Sequence, residues 1–342
     1  MSLSVDLQTV WFVLVGVLFA GYAILDGFDL GVGSLHLLTE TDVERRTMLN
    51  AIGPVWDGNE VWLVTGGGAL FAAFPEAYAT AFSGFYLAFM ALLCTLIFRA
   101  VSIEFRSKQP GRVWRGVWDV GFSVGSIASA ILMGVAVGNM VWGIPLGADG
   151  EFAGTFVGLL HPYALLVGVM TVALFMMHGA IYVVLKTDGP LQEKARGWVT
   201  KTIIFFIVLY GCVTLATLVY APHMVTWIRE HPILFAVPIL SLLAIANIPR
   251  AIHHGRDFRA FLSSCAAMAG LMALFAIGVY PYMIRSNPVV DNSLTIYSAA
   301  SSTKTLTIML IIAAIGMPLV IAYTASIYWV FRGKVQLDES SY

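Results

Sequence analysis

Long apolar stretches alternate with short polar connections from one end of this chain to the other. At 1.5 Å per helical residue, about 20 apolar residues cross the ~30 Å hydrocarbon layer of a bilayer. Windows of that length predict helices near residues 8–36, 52–74, 79–100, 117–143, 158–186, 198–221, 231–249, 259–285 and 304–332. The expected fold class is all-α and polytopic, a single integral membrane domain over 1–342 with nine spans. The seventh window is the weakest, because it contains Pro238 and ends at Asn247, Ile248 and Pro249. A membrane helix tolerates proline only where neighbours re-satisfy the freed carbonyl. No Lys or Arg precedes the first apolar stretch in MSLSVDLQTV, so that stretch is read as a retained span and not as a secretory signal. The connections leave no room for an extramembrane domain, and no internal repeat or low-complexity tract interrupts the pattern.

Composition strengthens this reading. Apolar residues make up 59% of the chain and charged residues 11%, less than half the ~25% usual in a soluble domain. Such a chain cannot cover itself with a solvated surface, so lipid is its main solvent. The net charge of -1 gives no reason to expect a nucleic-acid partner. The placement of the charges is more informative than their sum. Of the 19 Lys and Arg residues, only Arg229, Arg285 and Lys304 fall on one set of alternate connections, and the other 16 fall on the opposite set. The positive-inside rule then puts the N-terminus outside and the C-terminus in the cytoplasm, which requires an odd number of spans. Cys94, Cys212 and Cys265 are far apart, lie in apolar segments and form no CxxC, so they are read as packing residues and not as a disulfide or metal framework.

The strongest functional signal is acid inside two apolar windows. AILDGFDLGVG places Asp26 and Asp29 three apart, and GPVWDGNEVWLV places Asp57 and Glu60 three apart, each pair on one helical face. An acid near the bilayer centre costs roughly 2.5–3.5 kcal/mol on insertion scales. Helix rise puts Asp29 about 10 Å, Asp26 about 15 Å, Asp57 about 8 Å and Glu60 about 12 Å from the cytoplasmic ends of their helices. Protonatable groups at matched depths are the anatomy of a proton relay. The competing structural role is ion pairing with Arg or Lys from nearby loops, which suits the shallower Asp29 and Asp57 better. Gly27, Gly31 and Gly33, and the run Gly66, Gly67, Gly68, predict close helix approach. No GKS or GKT follows the run, so a phosphate-binding loop is excluded.

Other candidates carry less. Trp56 and Trp62 read as interfacial anchors or, more sharply, as a stacking wall for a lipid-soluble ring such as a quinone. Of the seven histidines only His178 lies well within a span, and no two stand as facing axial ligands, so no metal or haem ligand is assigned to this chain. Arg99, Glu104, Arg106 and Lys108 form a basic flank, from which Arg99 is placed to pair with a carboxylate; Asp119 sits at a span entrance near the same cluster.

The same motifs carry a resemblance. GFDLGVG with Asp26 before it, then ERRTMLNAIGPVWDGNEVWLVTGGGALFAAFP, AFSGFY and FRAVSIEFRSK resemble the N-terminal hallmark of cytochrome bd quinol oxidase subunit II. The likeness is nearly continuous over 11–126 and returns at PYMIRSNPVVDNSLTIYSAASSTKTL and the last window. It implies two four-helix bundles plus one peripheral helix, in the inner membrane of a bacterium. It implies a heterodimer with subunit I, sometimes joined by a small third subunit, embedded among lipids. Subunit I is then expected to hold two b-type haems, haem d and the quinol site, while this chain binds no haem and has no catalytic residue or activity alone. The complex would oxidise quinol and reduce dioxygen to water, electrogenically but without pumping. Carried over residue by residue, the family's proton-path acids fall on Asp29 and Asp57, with Asp26 in the same motif, and Trp56 falls on a position associated in some members with a bound structural quinone. Position 60 is often Gln in relatives, so Glu60 departs from the pattern. The short connection between the sixth and seventh windows lacks the insertion of some members. Two rival readings stand beside this one: a proton-coupled secondary transporter, which would show paired broken helices in repeated halves, and a purely structural scaffold with its acids bound in ion pairs.

Overall fold

The structure is a computed structural model and describes residues 6–337 and residue 341. The helices, in chain order, are α1 (Leu7–Leu35), α2 (Asp42–Ile52), α3 (Trp56–Ala73), α4 (Pro75–Gly84), α5 (Tyr86–Phe105), α6 (Arg112–Trp142), α7 (Pro162–Lys186), α8 (Gly189–Tyr220), the short α9 (Thr226–Glu230), α10 (Ala236–His253), α11 (Asp257–Val279) and α12 (Thr303–Val330). Two short strands, β1 (Tyr282–Ile284) and β2 (Leu294–Thr295), pair antiparallel between α11 and α12.

Among the described residues, eight helices are long and apolar enough to cross a membrane: α1, α5, α6, α7, α8, α10, α11 and α12. The second predicted window, 52–74, is not among them. It divides into the end of α2, a turn and the 18-residue α3, whose first five residues include Asp57, Asn59 and Glu60. The α3 helix also stops early. Proline disfavours a helical conformation in the residue before it and is well suited to a first helical position, so α3 ends ahead of Phe74 and Pro75 opens α4. The third window, 79–100, accordingly straddles α4 and α5. By contrast the seventh window, from residue 236 onward, forms one continuous helix, α10, with Pro249 inside it, and its first residues form a 3-10 turn ahead of it.

The α1 and α7 helices occupy the centre. The first packs against α3, α6, α7 and α11, and the second against α6, α8, α1 and α11, while α5 lies on α6 and α10 on α11. Glycine permits the central crossing. A Cβ on Gly31 would stand 1.9 Å from the Phe175 carbonyl oxygen, and one on Gly179 2.4 Å from the Gly31 carbonyl carbon. No side chain fits there, so the backbones meet directly. Gly67 and Gly68, in contrast, meet nothing within 4 Å. The largest core surrounds this crossing with Phe28, Leu30, Ile181 and Val183 fully buried, and a second, at the far end, gathers Trp11, Phe74, Ile144 and Ile296. The peripheral α12 is mostly exposed, but it is tied at both ends: the Trp11 indole donates to the Leu306 carbonyl at 3.0 Å, and Lys186 Nζ donates to the carbonyls of Phe331 and Gly333.

One end of the bundle collects the cations. Lys194 of α8 reaches Glu44 of α2 at 2.7 Å, and Arg196 reaches Asp257 of α11 at 2.7 Å. Lys334 Nζ donates to the terminal carbonyls of α7, Val184 at 3.2 Å and Leu185 at 2.9 Å, as a cation suits a helix C-terminus. Thr41 and Glu44 form a capping box at the start of α2, so Glu44 serves the cap and the ion pair together.

Candidate functional site

Tyr22, Asp26 and Asp29 follow one another along α1 at spacings of four and three, which makes them a single stripe on the helix. That stripe faces α3 and the middle of α5. Arg99 projects from α5 and its Nη2 donates to Asp26 Oδ1 at 2.7 Å and to Glu60 Oε1 at 2.6 Å. Asp26 and Arg99 are fully buried, whereas the Glu60 side chain keeps 26% of its surface. The two acids that find the arginine are therefore the deeper pair; Asp29 and Asp57, which the depths alone suit better to ion pairing, have no cation bound. The reason is reach: Arg99 enters α5 six residues before its end, about 9 Å below it.

Two carboxylates share one guanidinium, and Asp29 adds a third carboxyl with no cation of its own. Asp29 Oδ2 accepts from Asn59 Nδ2 at 2.8 Å, and Asn59 Oδ1 accepts from the Tyr328 hydroxyl of α12 at 2.9 Å. Asp29 Oδ1, Asp26 Oδ2, the Tyr22 hydroxyl, and Nε and Nη1 of Arg99 are buried with no hydrogen-bond partner among the described residues. A polar cluster this far from full pairing is costly inside a bilayer unless it serves a purpose. Beside it, Phe28 stacks on Tyr182 at 3.9 Å, and the Tyr182 hydroxyl donates to the Ala51 carbonyl at 3.1 Å.

Asp57 and Trp56 lie apart from this centre. Asp57 is exposed and makes no hydrogen bond or ion pair among the described residues; it begins a stripe of exposed positions on α3 that continues through Val61, Val64, Gly68 and Phe71. Their spacing of four and three is that of a helix seam presented to another helix. Trp56 is half-buried against the central core, and the Trp62 ring lies over Gly21 of α1.

A second polar centre lies toward the cation-rich end. Asp119 of α6 is buried and receives three groups: His36 Nε2 at 2.6 Å, Arg45 Nη1 at 2.9 Å and Arg106 Nε at 2.5 Å. Arg106 also donates to Asp42 at 2.8 Å, and Arg115 donates to Asp42 at 3.0 Å. Burial pushes the Asp42 carboxyl up, but the guanidiniums of Arg106 and Arg115 more than reverse it and hold it below the usual carboxylate range. Sequence reasoning brought Asp119 to the basic flank but missed His36 and Arg45 as its partners, and missed Tyr22, Asn59 and Tyr328 in the first centre. Tyr22 and Asn59 carried a legible signal, since one stands four residues before Asp26 and the other next to Glu60. Tyr328 carried none.

His178, the histidine deepest in a span, fits hydrogen bonding better than haem ligation. His178 is fully buried with Nδ1 on the Ser264 hydroxyl at 2.7 Å and Nε2 on the Ile24 carbonyl at 3.0 Å, so neither ring nitrogen is available to an iron. His36 spends Nε2 on Asp119.

The family description "Cytochrome bd terminal oxidase subunit II" matches residues 7–331, nearly the whole chain. The chain belongs to this family. It is therefore a multi-pass membrane protein, in bacteria of the inner membrane, and a subunit of a cytochrome bd quinol oxidase, an oxidoreductase complex in which subunit I is its partner. It is 36% identical to cytochrome bd-I ubiquinol oxidase subunit 2 of Escherichia coli over 364 residues, covering 97% of this chain and 96% of that one. It is also 36% identical to cytochrome bd ubiquinol oxidase subunit 2 of Bacillus subtilis over 336 residues, with 98% of both covered. The fold is similar to a chain in the structure of bd oxidase from Geobacillus thermodenitrificans, with a TM-score of 0.77 at 17% identity over 95% of this chain and 98% of that one. In this cytochrome bd subunit II chain Glu60 takes one side of Arg99.

Proposed function

We propose that this chain is the haem-free subunit of a complex that oxidises quinol and reduces dioxygen to water, and that it supplies part of the path by which protons enter from the cytoplasm. The observation that carries this reading is the excess of buried carboxyl groups over cations around Arg99, next to an exposed Asp57 on the same helix as Glu60. A fully neutralised ion-pair network holds charge in place, whereas a network with more acids than cations has somewhere to put a proton. Asp57 takes protons at the open face of α3, Glu60 lies one turn deeper, and Asp26 and Asp29 continue the path along α1. Arg99 orients the two acids it binds and limits the cost of burying them. Asn59 fixes the rotamer of Asp29 by donating to it, and Tyr328 in turn holds Asn59 by donating to its Oδ1.

The exposed seam of α3, together with Tyr86, Leu87, Met90, Leu93 and Ile97 on α5, is the face on which subunit I docks. Asp57 then lies in the subunit interface. The helices group as two bundles, α1 with α3, α5 and α6, and α7 with α8, α10 and α11, with α12 peripheral; α3 completes the ninth span when that partner covers its polar start. Subunit I holds two b-type haems and haem d, which supply the electron transfer and oxygen chemistry. The N-terminus is outside and the cation-rich end is cytoplasmic, so protons consumed in making water come from inside while quinol releases its own outside. Charge separation follows without pumping. Trp56 is the position for a bound quinone, lipids surround the complex, and a small third subunit completes it in some assemblies.

Substituting Asp57 by Asn in the intact, fully haem-loaded complex tests the path. Turnover and proton uptake fall together by about tenfold, one unit of proton-transfer barrier being about 1.4 kcal/mol, while haem content stays unchanged. Normal turnover with normal uptake would sink the proton-path reading and leave a scaffold.

A further inference from the structure

A cleft of about 210 Å³ opens on the outside of the bundle between α1, α7 and α8, lined by Leu35, Leu38, Met176, Trp198, Lys201 and Phe205. Its walls are apolar except at Lys201 and at Thr202, whose hydroxyl donates to the Trp198 carbonyl at 2.8 Å. That lysine differs from the other cations of α8: Lys194 is bound to Glu44 and Arg196 to Asp257, but Lys201 is exposed and makes no hydrogen bond or ion pair among the described residues. Its depth is set by the helix itself. The nineteen residues from Thr202 to Tyr220 contain no charge, and at 1.5 Å each they span about 28 Å, the thickness of the hydrocarbon layer. Lys201 therefore stands at the headgroup boundary, with Phe205 one turn deeper on the same face. Met176 of α7 faces Lys201 at nearly the same height, since the two lie about 15 Å and 18 Å from the shared α7–α8 turn, so the cleft opens at that boundary and Phe205 carries it toward the acyl region.

From this geometry we propose that the cleft is a binding site for one anionic phospholipid, with an acyl chain lying between α1, α7 and α8 and its phosphate paired with Lys201. The charge at the mouth selects the headgroup, and the apolar walls select the chain. A cation at this depth attracts an anionic headgroup. The proposal rests only on the chain being in a membrane, so it stands or falls independently of the proton path.

Native mass spectrometry of the intact complex tests it, with phosphatidylglycerol and phosphatidylcholine of identical chains added in turn. The wild-type complex retains phosphatidylglycerol about fivefold more than phosphatidylcholine, the factor expected of one lysine at an anionic headgroup. Lys201→Gln removes the preference, Lys201→Arg keeps it, and Leu38→Trp, which narrows the exposed mouth, lowers retention of both lipids; the haem spectrum reports that each variant is assembled. An unchanged preference in Lys201→Gln, equal retention of the two lipids by the wild type, or displacement of phosphatidylglycerol by an equal concentration of inorganic phosphate would each overturn the proposal.

Discussion

The two polar centres of this chain use the same residue types in opposite proportions. Around Arg99, one guanidinium meets Asp26 and Glu60 with Asp29 close behind, inside the bilayer. Around Asp119, one carboxylate meets Arg45, Arg106 and His36, and Asp42 adds the second acid that Arg106 and Arg115 need. The first centre is short of cations and the second is rich in them. Depth explains why each balance is tolerated. The Asp119 centre opens toward the headgroups, where Arg45 remains 29% exposed and Asp42 44% exposed, and water screens whatever the pairing leaves over. The Arg99 centre has no such outlet except Glu60, so its surplus carboxyl groups must be held by hydrogen bonds or by protons. A cluster that is balanced by solvent fixes helices together; a cluster that is not is suited to proton exchange.

The comparison is most sharply broken by removing the cation of the acid-rich centre. Arg99→Met leaves Asp26 and Glu60 buried without a counter-charge, an arrangement that costs about 3–5 kcal/mol when one partner of a buried pair is deleted. We expect little haem-loaded complex to be recovered and a large drop in thermal midpoint, with Arg99→Lys recovering part of both because it restores the charge but not the fork of donors. If Arg99→Met assembles as stably as wild type, the two centres do not differ in the way their charge balance suggests.

Asp119→Asn should be milder, although it deletes the hub of the other centre. It removes charge-assisted bonds to three groups, but Arg106 keeps Asp42 and Arg45 can turn to water, so the cost is about 1.5–3 kcal/mol in all. Thermal unfolding of the purified complex measures this. A loss as large as that of Arg99→Met would mean that Asp42 and solvent do not rebalance Arg106 and Arg45 once Asp119 is neutral. Proton uptake should change little in this variant, since the cation-rich centre is structural.

Much of the difference between the two centres was legible in the sequence, and what was not has a common cause. The spacing of Asp26 and Asp29 gave their shared stripe, and the apolar windows fell on α1, α6, α7, α8, α10, α11 and α12, although α8 begins nine residues ahead of its window and the short α9 was not predicted. The second window misled because hydropathy averages across the turn at Gly53, Pro54 and Val55 and the polar start of α3 at Asp57, Asn59 and Glu60. Helix rise put Asp26 and Glu60 at one depth, but depth along an axis does not say which way a stripe turns; that Arg99 would take those two and leave Asp57 on the open face depends on the rotation of α3 about its axis. His36 and Arg45 meet Asp119 across separations of 83 and 74 residues, and Tyr328 meets Asn59 across 269. Contacts of that kind are made by tertiary packing, so no local pattern announces them. The connection from Arg106 to Asp119 is only 13 residues, and it was the part of this centre that local reasoning reached.

The smallest effect is the acid dependence of the cation-rich centre, and it sharpens the contrast from the solvent side. Asp42 and Glu44 both lie outside the spans. Burial raises each carboxyl, and Arg106 and Arg115 in one case, and Lys194 with the Glu40 and Thr41 amides in the other, bring it below its ordinary value. A group whose folded value is lowered contributes its full stability above the unfolded value and loses it as pH falls through the folded one. Stability from these two acids is thus constant at neutral pH and declines only below about pH 4. Exposure limits Asp42 to about 1 kcal/mol or less. Thermal midpoints of wild type and Asp42→Asn, compared from about pH 7 to about pH 3, should converge as the solution is acidified. A gap between them that stays constant into acid would show that Asp42 contributes through packing and not through charge, and the cation-rich centre would then end at Asp119.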